Sequence, residues 1–95
     1  MDERVTQYRD VVYEQVVKVG KSLGNVTRLR ILDLLVQGPK TVENIANIIG
    51  LSVATTSRNL QILKRANLVT IERNKNFMTY RLVSEQIKQL VTLLV

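Results

Sequence analysis

The sequence predicts a mostly α-helical domain with one small β-hairpin, an α+β arrangement of five helices and two strands. Three observations lead there. Apolar residues recur at spacings of three and four along most of the chain, the period of a buried helix face. Between residues 67 and 83 the period drops to two, in "LVTIER" and "FMTYRLV", as expected of half-buried strands. Gly, Pro, Asn and Ser stand between these segments with no repeat, low-complexity tract or linker, so residues 1–95 read as a single domain.

The first helix is expected over residues 2–19, where Val5, Tyr8, Val12, Val16 and Val19 form one stripe, widened by Val11 and Val17. Gly20 and Gly24 bracket a turn. Asn25 then caps a second helix over 26–36 that buries Leu29, Leu32, Leu35 and Val36, and Gly38 and Pro39 stop it. A third helix starts at Thr41, keeps Val42, Ile45, Ala46 and Ile49 on one side and ends at Gly50, the residue type best suited to a left-handed turn. Ser52 caps a fourth, with Leu60 and Leu63 inward and its end near Ala66. The two strands follow, joined by Asn74, Lys75 and Asn76. Ser84 caps the last helix, "EQIKQLVTLLV", with Ile87, Leu90, Val91 and Leu94 in line.

Composition excludes several kinds of chemistry. The chain has no cysteine and no histidine, which removes disulfides, thiolate metal sites, most nucleophile–base pairs and most zinc chemistry. Tyr8, Tyr13 and Tyr80 read as packing residues, and no pair of carboxylates suggests acid–base work. No enzyme activity, cofactor or metal is therefore expected. The charged N-terminus lacks the apolar core of a signal peptide, and no apolar run could span a bilayer. The expected location is the cytoplasm, with no membrane partner.

Charge is where the sequence says most. The net charge is +6, yet residues 1–20 carry three bases against four acids. Residues 52–82 instead carry Arg58, Lys64, Arg65, Arg73, Lys75 and Arg81 against Glu72 alone, and no acid occurs between Glu43 and Glu72. An ordinary surface helix places an acid in its first turn, where the backbone dipole favours negative charge. The helix after Ser52 offers small hydroxyl residues there instead, which leaves its N–H groups and dipole for an external anion. A concentrated basic stretch of this kind suits a polyanion, most often nucleic acid.

Helix, glycine turn and helix over 42–61 fit the helix-turn-helix pattern, with Ala46 small at the crossing and Leu51 packed beneath the turn. Thr56 and Asn59 depart from the pattern, at positions where a more apolar residue is common. A basic-tipped hairpin directly after the motif makes it a winged helix-turn-helix. The recognition helix then directs its N-terminal half at the major groove. Ser52 opens that surface. Thr55, Ser57, Arg58 and Gln61 lie away from Leu60 and Leu63, with Arg58 suited to guanine and Gln61 to adenine. Lys64 and Arg65 fall further along, towards phosphate. On the wing, Arg73, Asn74, Lys75 and Asn76 would meet the backbone or an adjacent minor groove.

The stretches "TRLRILDLL", "GLSVATTSRNLQILKRANLV" and the closing "YRL" resemble the ArsR-type (arsenical-resistance-repressor) regulators, over about residues 19–83. The resemblance implies a homodimeric repressor bound to double-stranded DNA, with the first and last helices at the dimer interface. It also places Val53, Ala54 and Ser57 where family members touch bases. The chain departs from the family in "NVTRL", which lacks the usual proline. It also lacks the cysteines near the third helix, and the histidines of the last helix, through which many members sense metals or reactive sulfur. Independently of the resemblance, so short a chain cannot cover both the first-helix stripe and the apolar face of the last helix. Val5, Tyr8, Val12, Val16, Ile87, Leu90, Val91 and Leu94 are therefore expected at a two-fold interface, with a palindromic DNA site. The alternative is a winged helix used for protein–protein assembly, in which the basic surface is incidental.

Overall fold

The computed structural model describes Glu14, Gly20 and residues 25–95. Of the expected first helix only Glu14 is described, with helical backbone; Val5, Tyr8, Val12 and Val16 lie outside the described residues. Gly20, expected in a turn, has helical backbone. The described residues from 25 onward form four helices and one hairpin: α1 (Val26–Leu35), α2 (Val42–Ile49), α3 (Val53–Arg65), β1 (Val69–Asn74), β2 (Phe77–Leu82) and α4 (Glu85–Leu94).

Each helix starts on the side-chain cap that its sequence offers. Asn25 Oδ1 accepts from Arg28 N–H at 3.2 Å, Thr41 Oγ1 from Asn44 N–H at 3.2 Å, Ser52 Oγ from Thr55 N–H at 3.0 Å and Ser84 Oγ from Ile87 N–H at 3.2 Å. The helix ends are equally local in origin. Gly50, at φ 81°, closes α2 while the N–H groups of Gly50 and Leu51 both reach Ala46 O, at 2.9 and 3.0 Å. At the end of α3, Asn67 takes the left-handed position at φ 61°. Its N–H bonds Lys64 O at 3.0 Å and the Leu68 N–H bonds Leu63 O at 3.0 Å, the paired reverse bonds of a Schellman turn. Leu68 is thereby carried into the core beside Leu63.

The strands pair antiparallel from Val69↔Leu82 to Asn74↔Phe77. Asn74 is thus a ladder residue, and the turn is Lys75 and Asn76 alone. Beyond β2, Lys40 adds one further bridge, exchanging bonds of 3.0 and 2.8 Å with Tyr80. This contact ties the segment before α2 to the base of the wing. Among the described residues the core is aliphatic, with Ile31, Leu32 and Leu35 from α1, Ile45 from α2, Leu60 and Leu63 from α3, then Leu68, Val69, Leu82 and Val91, and Tyr80 as the one aromatic. Ile31 was not among the expected core residues, whereas Leu29 and Val36 are only half-buried. Leu51, expected beneath the turn, is 36% exposed because the turn directs it outward.

Candidate nucleic-acid interface

α3 is positioned by its inner face and leaves its outer face open. Thr56, Leu60 and Leu63 are fully buried at spacings of four and three. The opposite side carries Ala54, Arg58, Gln61 and Arg65, again spaced by four, three and four, one helical ridge. Ser52, Val53, Ala54, Arg58, Lys64 and Arg65 are exposed, while Thr55, Ser57 and Gln61 are half-buried. The first turn contains no acid and the last holds Lys64 and Arg65, so side chains complement the C-terminal end of the helix dipole and leave its N-terminal end without a counter-charge.

Several expected DNA-facing groups prove to have partners inside the fold. Ser52 Oγ donates to Thr55 Oγ1 at 2.9 Å in addition to capping the helix. Gln61 Nε2 donates to the Tyr80 hydroxyl at 3.4 Å, which turns the amide towards the wing. Asn59 donates to Thr55 O at 3.0 Å and accepts from Arg28 Nη1 at 3.5 Å, so the departure from the helix-turn-helix pattern at this position is absorbed by a polar link between α3 and α1. Arg65 Nε reaches back to Gln61 O at 3.4 Å.

The wing projects beyond the core. Its inner face runs Val69, Ile71, Arg73 on β1 and Met78, Tyr80, Leu82 on β2, buried at the base and exposed towards the tip. Arg73 Nη2 lies 3.7 Å from Met78 Sδ. Glu72, the one acid of this stretch, pairs with Arg81 at 3.5 Å. Among the described residues no carboxylate pairs with Arg58, Lys64, Arg73 or Lys75. Sequence reasoning passed over Phe77, 65% exposed, and Met78, 44% exposed, at the start of β2. Alternation suggested that one of them would be covered, but the core ends below them. Shallow open grooves run beside them, bordered by Pro39, Thr41 and Val42.

Comparison with known proteins gives this surface a context. The profile of the bacterial regulatory protein, arsR family, matches residues 25–70, which hold α1, the whole helix-turn-helix and the start of β1. The HTH-type transcriptional regulator Rv0081 of Mycobacterium tuberculosis is 32% identical over 81 residues, 84% of this chain and 71% of that protein. The chain belongs to the arsR family. A second relative in the same organism, the HTH-type transcriptional regulator Rv0324, is 45% identical over 80 residues, and the chain spans only 35% of its length. Among solved structures, the homodimeric winged helix-turn-helix DNA-binding domain of a possible ArsR-family regulator from Mycobacterium bovis aligns with a TM-score of 0.86. It is 39% identical, and the alignment covers 99% of this chain and 83% of that one.

The last helix of this arsR-family chain has two unlike sides. Val91 is buried in the core of the single chain and Ile87 packs against that core. Val91, expected at the two-fold interface, is thus covered within the single chain, whereas Ile87 is only half-buried. Leu90 and Leu94 do remain exposed, joined by Leu93 at 85% and Val95 at 66%. Among the described residues no group of acidic side chains is arranged to hold a metal ion. No helix among them is long and apolar enough to cross a membrane.

Proposed function

We propose that this domain is the DNA-reading part of a homodimeric transcriptional repressor, with α3 in the major groove of each half of a palindromic operator. The observation that carries the reading is the arrangement of cations. Arg58 and Lys64 on α3 and Arg73 and Lys75 on the wing are exposed and, among the described residues, unpaired with any carboxylate, while Glu72, the one acid of α3 and the wing, is occupied by Arg81. Arg58 supplies the bidentate contact to guanine, and Lys64 and Arg65 hold phosphates beside the groove. Arg73 and Lys75, with Asn74 and Asn76, place the wing on the flanking backbone or minor groove, where exposed Phe77 and Met78 rest on sugar carbons. The homodimeric state of the Mycobacterium bovis domain supports assigning Leu90 and Leu94 to a two-fold contact. No cysteine or histidine occurs in these 95 residues, so release from DNA does not run through thiolate or imidazole metal ligands within them.

The test is a fluorescence-anisotropy titration with the duplex upstream of its own gene and a scrambled duplex, at low and near-physiological salt. The native duplex should be preferred by about a hundredfold or more. Arg58→Ala should cost about tenfold in operator affinity and Lys75→Ala should weaken both duplexes alike. Equal affinity for both duplexes, or none, would overturn the reading.

A further inference from the structure

If α3 occupies the major groove as proposed above, the structure restricts what it can read there. Adenine is recognised by an Asn or Gln that offers its amide oxygen and nitrogen together, and cytosine by a carboxylate. α3 carries no carboxylate. Both of its amides have partners within the fold: Asn59 donates to Thr55 O and accepts from Arg28, and Gln61 Nε2 donates to the Tyr80 hydroxyl at 3.4 Å, which draws that amide towards the wing. The Thr55 hydroxyl accepts from Ser52. The exposed side chains of the first turn are apolar, Val53 at 47% exposure and the Ala54 methyl, with the half-buried Ser57 hydroxyl beside them and the exposed Arg58 guanidinium one turn later.

Only thymine presents a methyl group in the major groove. We infer that Val53 and Ala54 read thymine C5-methyl groups, and that each half-site is recognised by thymine methyl contacts plus one guanine contact, without amide readout of adenine. Four residues separate Ala54 from Arg58, about 6 Å along the helix, which spans about two base steps at 3.4 Å each. The half-site therefore holds thymine and guanine about two base pairs apart, on either strand.

Uracil lacks only the methyl group, so the test changes the DNA and leaves the protein untouched. An operator is selected with the intact chain from a randomised duplex library. It is then resynthesised with deoxyuridine replacing each thymine in turn, symmetrically in both half-sites, and titrated by anisotropy. At one or two positions the loss of a buried methyl should weaken binding about fourfold per half-site, or about fifteenfold for the symmetric pair. Val53→Ala, a change at an exposed first-turn position, should bring the thymine-to-uracil ratio at one of these positions close to one. If every deoxyuridine operator binds like the thymine operator, or the selected half-site has no thymine on either strand, methyl readout is wrong while operator binding stands. If selection enriches no sequence, the DNA-reading function itself falls, and this inference with it.

Discussion

Thr56 is fully buried at the fourth position of α3, and its hydroxyl has no hydrogen-bond partner among the described residues. Burying a hydroxyl without a partner costs about 1–3 kcal/mol in protein mutational data. Thr56→Val keeps the branched shape and removes the orphaned group. It should therefore raise stability by about 1 kcal/mol, read as a higher urea midpoint at unchanged m-value. A lower midpoint would mean that the hydroxyl is satisfied in solution. Asn67 is the opposite case. It holds a left-handed conformation that side-chain-bearing residues other than Asn and Asp rarely adopt, and two reverse hydrogen bonds surround it. Its residue type fits its backbone, and Thr56 does not fit its environment.

At the scale of the element, the wing trades stability for charge. A two-residue hairpin turn favours Gly or Asn where φ is positive, yet this position is Lys75, at φ 54°. A left-handed lysine costs about 1 kcal/mol, and what it gains is a cation at the tip. Lys75→Gly should stabilise the fold by up to about 1 kcal/mol, while the slope of log affinity against log salt falls by about one. Stabilisation with an unchanged salt slope would remove Lys75 from the interface. α3 is held more firmly than the wing, being capped at Ser52, closed at Asn67 and buried along one side. A rigid reading helix beside a projecting ribbon is what the division between base contacts and backbone contacts requires.

For the whole molecule, the decisive surface is the outer side of α4. Leu90, Leu93, Leu94 and Val95 are 39%, 85%, 52% and 66% exposed in the single chain. A second copy across a two-fold axis would cover them and set two recognition helices about one DNA turn apart. Leu94→Asp should then leave the core intact and give a monomer by light scattering. It should also lower operator affinity about a hundredfold, because the second half-site no longer acts through an intramolecular contact. A dimer that survives this change would place the interface elsewhere.

Much of this protein is determined by its sequence alone, because the deciding interactions are local. Asn25, Thr41, Ser52 and Ser84 announce four helix starts, and each cap forms within three residues of chain. Glycines and the change of period from 3.6 to 2 place the turns and the hairpin. The acid-free stretch over α3 and its exposed Arg58 are likewise visible in the order of residues. Tertiary structure alone decided which polar groups remain free to act. That Gln61 turns to Tyr80, 19 residues away, and Asn59 to Arg28, 31 residues away, depends on how separate elements meet. The same holds for Val91 packing inward while Leu90 and Leu94 stay open, and for Phe77 standing clear of the core. Periodicity assigns a residue to a face, but burial depends on where the neighbouring element ends, and no local pattern carries that information.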